Sequence, residues 1–209
     1  MPSDHPPSEA PPLEGRWPIA GLHVVRDTLL AAWTAPERGY HDARHLGEVL
    51  DRLDELASGG VDFPSLPVAL AAWFHDGVYD ALPGAEERSA AWAERALSDS
   101  LDQELVAEVA RLVRLTEHHR PAVGDESGAA LSDADLAILA ADEERYAAYV
   151  AGVRREYAHV PDAAFTAGRT AVLRDLLAAP TLFHTAYARE RWEARARANV
   201  ERELLGGAG

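Results

Sequence analysis

Five of the nine histidines fall between residues 41 and 119, and carboxylates accompany them. His41 and His45 stand four apart in Arg38-Gly-Tyr-His-Asp-Ala-Arg-His45. His75 is followed directly by Asp76 at the end of an apolar run, His118-His119 closes a helical stretch, and Asp133 and Asp135 open the next one. Neutral imidazole and carboxylate oxygen are ligands for divalent zinc, manganese, nickel or iron. A histidine and an aspartate carried into a core at a helix end need a partner, and a metal ion satisfies both at once. Each piece alone also has a plainer reading. His75-Asp76 fits an exposed helix end, and the i,i+4 pair His41/His45 fits a solvated helix face. His118-His119 fits imidazolium favoured by a helix dipole. Ser132-x-x-Asp135 before Leu136 reads as a capping box that starts a helix. What sets them apart from these readings is their order: a histidine, a His-Asp dyad and a late aspartate, each at the end of a separate helix.

Composition narrows the chemistry. Among the 209 residues there is no cysteine, so thiolate zinc sites, iron–sulfur clusters and cysteine nucleophiles are excluded. All 20 basic residues are arginines, which removes Schiff-base lysines and the phosphate-binding GxxxxGK[ST] loop. Against them stand 35 acidic residues, a net charge of −15, which argues against a nucleic-acid tract as partner. The chain has no apolar run long enough for a membrane span and no signal-peptide core, so the expectation is a soluble, cytoplasmic protein without a membrane partner.

The elements that must position these residues are helical throughout. Residues 1–18 hold six prolines and read as a disordered leader, with a helical domain over 19–209. Residues 42–57 repeat Leu46, Val49, Leu50, Leu53 and Leu56 at a 3.6-residue period. Residues 64–79 are almost fully apolar, as in a buried helix. Helices are expected over 19–33, 86–97, 101–119 and 132–140, and three more over 142–159, 161–178 and 181–205. No block alternates as a strand does. The fold class is therefore all-α, a single bundle of roughly eight or nine helices.

His45…His75-Asp76…Asp135 resembles the HD superfamily of metal-dependent phosphohydrolases, whose H…HD…D ligands hold a metal inside a helical bundle. The longer stretches Arg38-Gly-Tyr-His41-x-x-x-His45, Trp-Phe-His75-Asp76-x-Val-Tyr-Asp80, Glu86-x-x-Ser89-Ala90, Thr116-x-x-His119 and Asp133-Ala-Asp135-Leu are similar to one bacterial subgroup of predicted phosphohydrolases in it. So are Arg154-x-Glu156-Tyr157 and Glu193-x-Ala-Arg195-x-x-x-Asn199, while Ala85 stands where that subgroup often has asparagine. The resemblance implies an HD-type helical bundle with His45, His75, Asp76 and Asp135 as metal ligands and Asp133 as a supporting carboxylate or cap. It implies one or two ions (Mn, Ni, Co, Fe, Zn or Mg) and cleavage of a phosphoester of a small metabolite or nucleotide by a metal-activated water. An HD-fold di-iron oxygenase and a non-catalytic module binding a nucleotide or a partner protein are the alternatives.

Around such a centre, Asp80 is expected one turn after Asp76 on the same face if the helix persists, as general acid or base, with Glu86 next. Arg38 is expected to contact the phosphate, because a guanidinium grips phosphate oxygens bidentately. His41 and His119 are expected at the substrate. The distal residues Tyr146, Tyr149, Arg154, Glu156, Arg169 and Glu193 read as buried pairs that tie the last helices to the bundle.

Overall fold

The computed structural model describes residues 12–206, and among them the chain is all-helical, with ten α-helices and two short 3-10 turns. The helices are α1 (His23–Trp33), α2 (Ala43–Ser58), α3 (Ser65–Phe74), α4 (Ala85–Leu97), α5 (Gln103–Leu115), α6 (Glu126–Leu136), α7 (Glu143–Glu156), α8 (Asp162–Ala178), α9 (Ala186–Arg191) and α10 (Glu193–Gly206). Among the described residues, no helix is long and apolar enough to cross a membrane.

Helix α3 is the axis of the bundle. Its last five residues, Leu70 to Phe74, are completely buried, as a helix with no polar face must be. It packs against α2, α4, α5 and α6. Helix α2 turns Leu46, Val49, Leu50, Leu53 and Leu56 inward. Its start is fixed by Asp42, whose carboxylate accepts from the backbone N–H groups of Arg44 and His45. The indole N–H of Trp33 donates to the carbonyl of Trp73 at 2.9 Å and ties α1 to the end of α3.

Several boundaries differ from those read in the sequence, and each difference bears on the site. The apolar helix stops at Phe74 rather than continuing to 79. Gly77 allows the turn that follows, because a Cβ there would lie 3.1 Å from the Trp92 ring and 3.2 Å from the Phe74 carbonyl. Helix α5 ends at Leu115, so His118 and His119 lie in the loop beyond it. Helix α6 starts six residues before Ser132, capped by Asp125, whose side chain accepts from Gly128 N–H. Ser132 is therefore interior to a helix and caps nothing. In the last third, four helices replace three, because the 181–205 segment breaks at Trp192 between α9 and α10. The stretch read as a disordered leader is structured from Leu13. Leu13–Arg16 forms a 3-10 turn, Arg16 pairs with Asp51 and Asp54, and Trp17 packs edge-on against Trp73 with ring centroids 5.1 Å apart. The rest of that leader, residues 1–11, lies outside the described residues.

Candidate metal centre

Four side chains from three helices converge at the buried end of α3. His45 comes from the first turn of α2, His75 and Asp76 from the turn after α3, and Asp135 from the last turn of α6. His45 Nε2 lies 3.2 Å from His75 Nε2, 3.1 Å from Asp135 Oδ1 and 3.7 Å from Asp76 Oδ2. His75 Nε2 is 3.3 Å from Asp76 Oδ2 and 3.7 Å from Asp135 Oδ1. Ligand atoms about 2.1 Å from a common ion stand roughly 3.0–3.4 Å apart at octahedral or tetrahedral angles. Three of the five separations fall in that range and the two of 3.7 Å lie beyond it. His45, His75 and Asp76 form a compact group that could hold a divalent ion, and Asp135 stands against both imidazoles. Two histidines and two carboxylates leave further positions open on a six-coordinate ion.

The outer nitrogens support the same reading. His75 Nδ1 donates to the Ala72 carbonyl at 2.7 Å, which turns Nε2 toward the centre, where a binding cation would displace its proton. His45 Nδ1 meets the Tyr40 hydroxyl at 2.9 Å. Outer hydrogen bonds of this kind fix the tautomer and orientation of ligating imidazoles. Both histidines are 1% exposed. Burial by itself would depress His75, but the Asp76 and Asp135 carboxylates outweigh it and lift the imidazole to about 9. Burial likewise works against ionised Asp76, yet His75 and His41 hold it down at about 2. Asp135 is also held well below the usual carboxylate range, its burial outweighed by His75, His45 and His119. Both carboxylates are therefore ionised at neutral pH.

A second layer holds the loop before α2 in place. Glu156, at the end of α7, accepts three successive backbone N–H groups through Oε1, from Gly39 at 2.8 Å, Tyr40 at 2.7 Å and His41 at 2.9 Å. Its Oε2 pairs with His41 Nδ1 at 2.8 Å. The loop can approach α7 this closely because two glycines face each other. A Cβ on Gly39 would lie 2.3 Å from the Gly152 carbonyl oxygen. Sequence reading assigned Glu156 to a distal ion pair; its partner loop lies 115 to 117 residues away, and no local pattern announces the contact.

Beside the four donors lies a cavity of about 300 Å³ whose wall includes Asp76, Asp135, His41, Glu86, His119 and Arg169. The structure thus brings Glu86, His41 and His119 to the wall of this cavity. Of the two neighbouring histidines, His119 turns inward, 3.6 Å from Asp135 Oδ2, while His118 is exposed beside Glu117. His119 adopts a left-handed backbone with φ 49°, and burial pushes its pKa down, favouring the neutral ring.

Two expected residues stand elsewhere. Asp80 is exposed in the loop after α3, where it accepts from Leu82 N–H and pairs with Arg88. It misses the cavity because the helix that would have carried it one turn past Asp76 has already ended. Arg38 spends its guanidinium on the His41 carbonyl at 2.5 Å and the Gly77 carbonyl at 3.0 Å, over the Trp33 ring. It clamps the two ligand-bearing loops together and is not among the residues of the cavity wall. The arginine on that wall is Arg169 of α8, which donates to both Glu203 oxygens and to the Tyr149 hydroxyl.

Asp133 and Asp135 separate cleanly. Asp133 is completely buried and accepts from the backbone N–H groups of His184 at 2.7 Å and Thr185 at 2.8 Å. Burial raises its pKa despite those two donors. It ties α6 to the start of α9, and Asp135 is the aspartate that faces His45 and His75. Comparison of the chain with protein-family models, curated proteins and solved structures found no match in any of the three.

Proposed function

We propose that this chain is a metal-dependent phosphohydrolase of the HD type, which cleaves a phosphoester of a small metabolite or nucleotide in the cytoplasm. The observation that carries the reading is the convergence of His45, His75, Asp76 and Asp135, with the two carboxylates on the wall of one cavity and the two imidazoles buried behind them. These four side chains would hold the ion, one of Mn, Ni, Co, Fe, Zn or Mg. Bound there, a divalent ion supplies Lewis acidity to a phosphoryl oxygen and lowers the pKa of water.

The chain's own residues supply the rest. Two carboxylates on the cavity wall lie outside the ligand set, Glu86 and Glu117; Glu117 is exposed beside His118, and half-buried Glu86 accepts a proton from the attacking water. His41 holds its Nδ1 against Glu156, which leaves Nε2 for the substrate. Half-buried, His119 lies 3.6 Å from Oδ2 of Asp135 and contributes a further polar contact.

The test is elemental analysis of untagged protein followed by a screen of phosphoesters. The proposal expects one or two transition-metal equivalents and hydrolysis of at least one ester. Asp76→Ala should remove metal and activity together while the far-UV circular dichroism stays helical. A wild-type protein that takes up metal and turns over no ester would refute the hydrolytic reading. Melting of the fold in Asp76→Ala would mark the ion as structural.

A further inference from the structure

A second compartment adjoins the cavity at the metal centre. It holds about 450 Å³ between the end of α7, the following loop and α8, and it shares His41, Tyr79, Tyr149, Tyr157, Arg169 and Val172 with the first. Its volume lies within the range of small-molecule sites, about 300–1,000 Å³.

Its wall is aromatic and aliphatic. Tyr79 stacks on His41 with ring centroids 3.9 Å apart, and the far side is formed by Val153, Val160, Ala164, Phe165 and Gly168. None of these five side chains can donate or accept a hydrogen bond. The basic side chains on the wall already have acidic partners, Arg169 with Glu203 and His41 with Glu156. The Tyr149 hydroxyl is engaged by Arg169, so the partners left on this wall for a sugar are the Tyr79 and Tyr157 hydroxyls, and a second phosphate would find no uncompensated charge. A flat, neutral aromatic group fits both the rings and the charge balance.

Gly168 points the same way. It lies in the interior of α8 with an ordinary helical φ, where glycine costs roughly 1 kcal/mol against alanine. A Cβ there would meet nothing within 4 Å, so neither backbone conformation nor packing within the chain calls for glycine. What the glycine does is leave the compartment wide.

We propose that this compartment binds the neutral aromatic portion of a phosphate monoester whose phosphate lies at the metal centre. The proposal rests on the phosphohydrolase reading and names the substrate class for that site.

The test uses Mn²⁺-loaded full-length protein and two non-hydrolysable probes, 1-naphthylphosphonate and methylphosphonate, with affinities measured by calorimetry. The naphthyl compound should bind at least about tenfold more tightly, from burial of its rings. Gly168→Leu, which fills the compartment with a good helix former, should abolish that advantage without lowering the melting temperature. Ala167→Leu, on an exposed neighbouring position, should preserve it. Equal affinity for the two probes, no binding of either, or an advantage that survives Gly168→Leu would overturn the proposal. Hydrolysis of 1-naphthyl phosphate and glycerol 2-phosphate is measured in parallel. A naphthyl advantage in binding with no turnover of either ester supports the compartment and refutes the hydrolytic reading alone.

Discussion

Replacing Glu156 with alanine should be among the most damaging single changes that touch no metal ligand. The side chain is 3% exposed, and its carboxylate satisfies three backbone donors and one imidazole nitrogen. An orphaned buried donor costs about 1–3 kcal/mol, and breaking a buried ion pair by removing one partner costs about 3–5 kcal/mol. Three amides at the lower figure already reach the bottom of the second range, so the expected loss is about 3–5 kcal/mol. For a chain of this size that lowers the melting temperature by roughly 10 °C. Glu156→Gln keeps an acceptor for the amides and gives up the charge, so it should fall between wild type and alanine. Burial alone would raise the Glu156 pKa, but the bonds from His41 and the loop amides outweigh it and hold it below its ordinary value. With the folded-state pKa depressed, the stabilisation is present above the unfolded-chain value of about 4.3 and is lost as pH falls through the lower native value. The gap between wild type and Glu156→Gln should therefore close as the solution is acidified below that range. Urea denaturation of the three proteins across pH 3–7 (roughly the span of that titration) measures both effects. A Glu156→Ala protein within about 1 kcal/mol of wild type at neutral pH would refute the reasoning.

The two aspartates of α6 should part company. Asp133→Ala loses about 2–4 kcal/mol by freeing the His184 and Thr185 amides, yet keeps its metal, whereas Asp135→Asn loses metal and keeps its helicity; denaturation and elemental analysis of the two variants decide it. Asp80→Asn should change neither metal content nor turnover, because the native carboxylate faces solvent and Arg88. Gly39→Ala should cost about 1–3 kcal/mol, since its Cβ would run into the Gly152 carbonyl, and thermal melting reads the loss.

The convergence of His45, His75, Asp76 and Asp135 was legible because it rides on strong local signals. The leucine period of α2 places His45 on its buried face, and the unbroken apolar run of α3 delivers His75 to the interior. The all-helical class follows from the same periodicities. What escaped sequence reading depended on where a helix stops and on contacts distant along the chain. Asp80 was assigned by extending α3 one turn too far, past a glycine whose role is set by Trp92 on another helix. Ser132-x-x-Asp135 has the letters of a cap, but Asp125 had already started that helix; Gly124-Asp125 before Glu126 was the better signal. Glu156 and Arg169 looked like ordinary ion-pair residues. Their places beside the site come from α7 and α8 crossing the bundle end, and no spacing within either helix encodes that.

The central claim is that His45, His75, Asp76 and Asp135 form a metal centre. Elemental analysis of the purified chain, before and after chelation and reloading with Mn²⁺, Zn²⁺ or Ni²⁺, tests it most directly. The account predicts one or two ions per wild-type chain, lost on chelation, restored on reloading, and absent from Asp76→Ala and Asp135→Asn alike. A wild-type chain that takes up none of these ions, or an Asp76→Ala chain that holds them as well as wild type, would contradict it.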